Sequence, residues 1–212
     1  MMPSPILDTL FAQWRYMLVG TCVTLVGIFV GWIVGTRDSF APVRGIAWWV
    51  RHVVLPLIQA RRWHKRAAMI FANNTLVLAL LVALGIWRNV AVAAIALLGL
   101  NLGIALRVLD NEGISLSRPY PTLDLATRRR MTAGVLLNML EPPAIVIALG
   151  LALARGGPSA DHVLIWRTFA ICVIPALALA AGGEALWLGA YHRGPPPAQS
   201  TSDAADPDKH AG

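Results

Sequence analysis

Charged residues are scarce in this chain. They make up 14% of its 212 residues, whereas apolar residues make up 57%. A soluble globular domain carries about 25% charged residues, so the composition excludes that class. Almost no sequence lies outside the long apolar stretches, which leaves no room for a separate soluble catalytic domain.

Cysteine and recognisable catalytic motifs are also scarce. The only cysteines, Cys22 and Cys172, lie inside apolar stretches, so they are not placed like extracellular disulfide partners and cannot form a zinc site alone. No histidine pair has metal-ligand spacing, and the chain lacks a Walker A sequence, a Gly-rich dinucleotide fingerprint, Gly-x-Ser-x-Gly and CxxCH. We therefore expect no metal, no cofactor and no enzymatic activity.

Five apolar stretches are each long enough to cross a bilayer, which needs about 20 residues. They predict an all-α polytopic membrane bundle in one transmembrane domain, residues 1–192. The spans are 16–35, 67–87, 90–108, 131–154 and 163–190. The first is expected to remain as an anchor, since no cleavage site follows it. Residues 193–212 are rich in Pro, Ser, Ala and Asp and are predicted to be disordered.

The basic residues are distributed unevenly between the two sides of the membrane. With five spans, 14 of the 18 Lys and Arg residues fall on the side of the first loop, the third loop and the tail. Loops rich in Lys and Arg stay in the cytoplasm, which predicts an N-terminus outside and a C-terminus inside. This distribution argues against nucleic acid as the reason for the net charge of +7.

The first loop contains an amphipathic segment over residues 43–63. Its apolar residues recur near helical spacing, and Pro56 is expected to kink it. One interpretation is a helix in the membrane surface whose cations face anionic lipid. The other is a helix packed on a partner's cytoplasmic domain. The basic residues of this lipid or partner surface are Arg44, Arg51, Arg61, Arg62, Lys65 and Arg66.

Small residues repeat one turn apart in two spans. The first span carries Gly27, Gly31 and Gly35, and the third carries Gly99 and Gly103. Small residues allow transmembrane helices to approach closely. These ladders predict packing inside one chain or against another subunit, a second copy included.

Six polar residues lie within the spans and form the predicted intramembrane polar cluster: Asn73, Asn74, Asn101, Asn138, Glu141 and Glu184. Asn138 and Glu141 are three apart and share a helix face. Pro142 and Pro143 lack N–H groups and crowd the carbonyls of the preceding turn, so the fourth span is predicted to break or bend there.

Three roles are open for Glu141. It could clasp the broken helix to Asn74 or Asn101 through hydrogen bonds. It could be an ion or proton site of a transporter, because intramembrane carboxylates often serve that purpose. Catalysis would need a second titratable group, and only Glu184 is a candidate.

Two segments resemble the stage II sporulation protein M family of integral membrane proteins. Phe71-Ala72-Asn73-Asn74-Thr75-Leu76-Val77 is similar to the start of one family span, and Glu141, Pro143 and Ala144 match the end of a Pro-His-Gly-x-x-Glu-x-Pro-Ala pattern. Leu136, Leu137 and Asn138 stand where that pattern has Pro, His and Gly. The resemblance covers about residues 67–154 and implies a bacterial inner-membrane protein that recruits partners without catalysing a reaction.

These observations give two functional hypotheses. The first is a non-enzymatic membrane scaffold or accessory subunit that assembles with other membrane or envelope proteins. The alternative is a transporter component in which Glu141 lies on the pathway, with Asn74, Asn101 and Asn138 lining it.

Overall fold

The computed structural model describes residues 5–37, 40–58, 62–111, 125–158 and 160–191. Every regular element in these residues is helical. The first five α-helices are α1 Pro5–Ala12, α2 Trp14–Val34, α3 Ala41–Trp49, α4 Leu55–Ile58 and α5 Trp63–Leu84. The others are α6 Arg88–Asn111, α7 Leu125–Asn138, α8 Glu141–Arg155, α9 His162–Thr168 and α10 Ile174–Tyr191. Two π-helical segments, Val50–Val54 and Phe169–Val173, join α3 to α4 and α9 to α10.

Five helical stretches in the described residues are long and apolar enough to cross a membrane, as predicted. They are α2, α5, α6, the α7–α8 pair and the continuous stretch from α9 to α10. The chain is therefore an all-α, multi-pass membrane protein. The second span begins at Trp63, four residues before its predicted start, because Arg62 is extended (φ −91°, ψ 105°) and separates it from the preceding helix. The predicted disordered tail, residues 193–212, and Arg61 lie outside the described residues.

The amphipathic segment of the first loop packs partly on its own chain, an arrangement that neither interpretation anticipated. Val43 and Val50 are 2% and 0% exposed and pack against Ile104 and Val108 at the end of α6. The outward face keeps Arg44 exposed beside exposed tryptophans. The segment described spans residues 41–58, and Trp63 belongs to the next span instead.

Both π-helical segments lie just before a proline, Pro56 in the first case and Pro175 in the second. Proline lacks an N–H group, and its ring crowds the carbonyl one turn earlier. Widening that turn into a π-helix relieves the crowding without ending the helix. The fifth span therefore continues through Pro175.

The two glycine ladders pack against each other within one chain. A Cβ atom at Gly31 would overlap the carbonyl oxygen of Leu100, and one at Gly103 would overlap that of Ile28. A Cβ atom at Gly27 would lie 2.7 Å from the Ala96 carbonyl oxygen. The first and third spans, α2 and α6, are thus held at backbone contact, so these glycines are not available to another subunit.

The remaining spans close around an apolar core. Helix α8 packs on α2 and α5, while α10 packs on α5 and α7. The core includes Leu78, Val82, Ala148, Ala152 and Val173, all at most 3% exposed. Side chains that the chain leaves exposed along the spans form the outer surface of the bundle.

Arginines mark one end of the bundle. Arg155 donates to the carbonyl oxygens of Val82 and Ala83, at 2.9 and 3.3 Å, and so caps the last turn of α5. Arg88 donates to the Tyr16 hydroxyl at 3.2 Å. Of the two cations, Arg155 supplies donors to the carbonyl groups of a helix end.

Candidate functional site

The fourth span is broken, as predicted. Helix α7 ends at Asn138, a turn occupies residues 139–140, and α8 begins at Glu141. The N–H of Leu140 donates to the carbonyl of Leu137 at 3.1 Å, which tightens the last turn of α7. Pro142 and Pro143 lie in the first turn of α8, where a helix has no internal partner for N–H groups and their absence is tolerated.

A chain of side-chain hydrogen bonds ties this break to α5. Asn73 Nδ2 donates to Asn74 Oδ1 at 3.2 Å, and Asn74 Nδ2 donates to Glu141 Oε1 at 2.9 Å. Of the two partners expected for Glu141, the structure selects Asn74. Asn74 lies eleven residues after Trp63, roughly 16 Å along the helix axis, so the contact lies near the middle of the span.

Close packing of α7 and α10 brings a second carboxyl group to the break. A Cβ atom at Gly134 would lie 2.7 Å from the Gly183 carbonyl oxygen, and one at Gly183 would lie 2.6 Å from that of Gly134. Glu184 follows Gly183 and lies within electrostatic range of both Glu141 and Arg66. The packing of α7 on α10 thus brings Glu184 to the same part of the bundle as the break.

Arg66 corrects the prediction of a lipid or partner surface. Its side chain is only 3% exposed, and its Nη1 donates to the Ala185 carbonyl oxygen on α10 at 3.3 Å. The cation is turned inward because α10 packs against the first turns of α5. Arg62 and Lys65, its neighbours, are exposed as expected.

Two asparagines correct the predicted buried cluster. Asn101 is exposed on α6 and makes no hydrogen bond to Glu141 or to any other side chain that the structure describes. Asn73 is exposed as well, although it donates to Asn74. Asn138 is half-buried, and its Oδ1 is enclosed without a hydrogen-bond partner among the described residues.

No family model, curated protein or solved structure matches this chain. The resemblance of residues 67–154 to the stage II sporulation protein M family therefore stays a prediction.

The cluster lies in one half of the bundle, and the buried side chains that follow it along α5 are apolar. Arg66, Glu184, Glu141 and Asn74 occupy the half that begins at the N-terminus of α5. From Asn74 onward, the inward residues of α5 are Leu78, Leu81 and Val82, each at most 5% exposed. That apolar layer continues along α5 for roughly 12 Å, to Val82, whose carbonyl oxygen accepts from Arg155.

This arrangement stabilises an interrupted helix more directly than it supports a reaction. A carboxyl group within a bilayer needs hydrogen-bond donors, and Asn74 supplies one. Among the described residues, no three His, Cys, Asp or Glu side chains come close enough together to hold a metal ion.

The outward position of Asn101 was predictable from its spacing to Gly99 and Gly103, although its polarity suggested a buried position. Asn101 lies two residues from both Gly99 and Gly103, or about 200° from each around the helix. Since these glycines pack on α2, Asn101 must point away from that contact. The inward turn of Arg66 had no comparable signal, because its partner is 119 residues away on α10.

Proposed function

We propose that this chain is a non-enzymatic scaffold or accessory subunit that assembles with other membrane or envelope proteins. The single observation that carries the proposal is the hydrogen bond from Asn74 to Glu141, above a closed apolar layer. The only carboxylate at the centre of the fourth span is engaged inside the bundle. It therefore serves to tie the break between α7 and α8 to α5.

The apolar layer supports a scaffold over a permease. A transport path needs polar groups or water in both halves of the membrane. Here Leu78, Leu81 and Val82 on α5 meet Ala148 and Ala152 on α8, and all five are at most 5% exposed. The polar side chains of the cluster therefore extend only to about the middle of the bundle.

The membrane and orientation belong to the same proposal. We place the chain in the bacterial cytoplasmic membrane, with its N-terminus outside and its C-terminus in the cytoplasm. The support is the excess of Lys and Arg in alternate loops. Cysteines introduced as Asp161→Cys and Arg62→Cys test it: an impermeant maleimide should label only the first in intact cells. Labelling of Arg62→Cys without permeabilisation would refute the orientation.

One observation favours a transporter component as a second candidate. Glu184, Glu141 and Arg66 place three ionisable groups in one half of the bundle, and the enclosed Oδ1 of Asn138 has no donor among the described residues. A protonated or cationic species entering from that half would find acceptors there. In this reading, Glu141 exchanges its bond with Asn74 for a bond with the transported species.

Glu141→Gln separates the two candidates. The amide oxygen still accepts a hydrogen bond from Asn74, while the titrating charge is gone. A scaffold should keep its partner proteins at unchanged stoichiometry when purified from native membranes in lipid nanodiscs. A transporter should lose flux in liposomes although its fold persists. Recovery of the chain alone, combined with flux that Glu141→Gln abolishes, would refute the scaffold.

A further inference from the structure

Asn101 is a polar side chain that the bundle leaves facing lipid. It is exposed and has no hydrogen-bond partner among the described residues. Arg88 and Arg107 lie about 28 Å apart along α6, close to the thickness of the hydrocarbon core. Asn101 is six residues from Arg107, so it sits roughly 9 Å inside that boundary. An asparagine side chain is too short to reach headgroups from there.

The amide lies on a continuous outward face of α6. Ala93, Leu97 and Asn101 are four residues apart and all exposed, so they form one stripe along the helix. An apolar groove runs beside the stripe, between α6 and α2. It is lined by Cys22, Val26, Val30, Ala96, Leu97 and Leu100.

An unpaired amide in hydrocarbon calls for a polar partner at the same depth. An asparagine amide is self-complementary, because it both donates and accepts. Two copies with the same orientation in a membrane are related by a two-fold axis along the membrane normal. That symmetry sets each residue on the axis opposite itself at equal depth, whereas an unrelated helix would need a matching polar residue at that level.

We propose that this stripe of α6 is a homodimer interface in which Asn101 of one protomer hydrogen-bonds Asn101 of its partner. The apolar groove then receives the neighbouring side chains of the second copy. A second copy of the chain is then one partner in the proposed assembly. The dimer depends on the proposed function only for its biological purpose.

Cross-linking in native membranes tests the position of the interface. Leu97→Cys, in full-length protein with Cys22→Ala and Cys172→Ala, keeps Asn101 and places a thiol on the stripe. A short bismaleimide should convert this variant to a covalent dimer. Leu80→Cys is the matched control, because Leu80 is 56% exposed on α5 and Leu97 is 57% exposed on α6. Equal cross-linking of both variants would overturn the proposal.

The amide is tested by the dimer dissociation constant, measured from energy transfer between labelled chains as they are diluted in liposomes. Asn101→Leu should raise it by about threefold to thirtyfold, the range for interhelical hydrogen bonds in membranes. Asn89→Leu, on an exposed residue near the helix start, should leave it unchanged. A monomer at every dilution, or an Asn101→Leu protein that dimerises like wild type, would overturn the proposal.

Partner co-purification keeps this inference separate from the proposed function. A wild-type chain that is monomeric yet retains its partner proteins refutes the dimer alone. A dimer recovered without any other membrane or envelope protein refutes the accessory role and supports the dimer.

Discussion

Replacing Asn74 by leucine removes the donor that lies 2.9 Å from Glu141 Oε1. Losing one partner of an enclosed acceptor lowers stability by about 1–3 kcal/mol. Hydrogen bonds between membrane helices average about 0.6 kcal/mol and reach about 1.7 kcal/mol. Since Glu141 is half-buried, we expect Asn74→Leu to lower the free energy of unfolding by about 1 kcal/mol.

A double-mutant cycle isolates the contact from other effects of each substitution. Asn74→Leu, Glu141→Leu and the double variant are unfolded by denaturant in bicelles, and tryptophan fluorescence follows the transition. We expect a coupling energy of about 1 kcal/mol, because the second substitution removes an acceptor that the first has already orphaned. Asn89→Leu is the control for leucine on an exposed helix surface. If the two single effects add to that of the double variant within about 0.3 kcal/mol, Asn74 and Glu141 are not coupled and the hydrogen bond between them is refuted.

Two further predictions concern packing and the inward cation. Gly103→Ala should lower the free energy of unfolding by about 1–3 kcal/mol, because the new methyl group forces α2 and α6 apart. Its control is Gly45→Ala, where a Cβ meets nothing within 4 Å. That substitution should leave the free energy of unfolding unchanged or raise it by up to about 1 kcal/mol. Arg66→Met should lower the free energy of unfolding by about 1–3 kcal/mol, since it removes the donor to the Ala185 carbonyl. Lys65→Met, on the exposed neighbour, should stay within about 0.5 kcal/mol. Equal effects of the two members of either pair would contradict the packing described here.

Much of the fold was predictable because hydrophobic length and proline chemistry act locally. A stretch of about 20 apolar residues crosses a membrane whatever surrounds it. Pro142 and Pro143 remove two consecutive N–H donors and crowd the preceding carbonyls, so an interruption near residues 139–140 was predictable from the sequence. The glycine ladders likewise predicted close packing, although not which helix would supply the partner.

The site was less predictable because it depends on how each helix is rotated. Asn74 and Asn101 are chemically identical, yet one donates to Glu141 and the other is exposed on the outer face of α6. The sequence places Arg66 among the basic residues of the first loop, whereas the packing of α10 turns its side chain inward. Glu184 follows Gly183, which packs against Gly134 on α7, and no local pattern reveals that pairing.

The most direct test of the hydrogen bond between Asn74 and Glu141 is a solid-state NMR distance measured in lipid bilayers. The side chain of Asn74 is labelled with ¹⁵N and the carboxyl carbon of Glu141 with ¹³C, and the dipolar coupling between them is measured. A donor 2.9 Å from Oε1 predicts a nitrogen–carbon separation of about 4 Å. A separation beyond roughly 6 Å would mean that no hydrogen bond joins the two side chains. That result would contradict the account of how the fourth span is held.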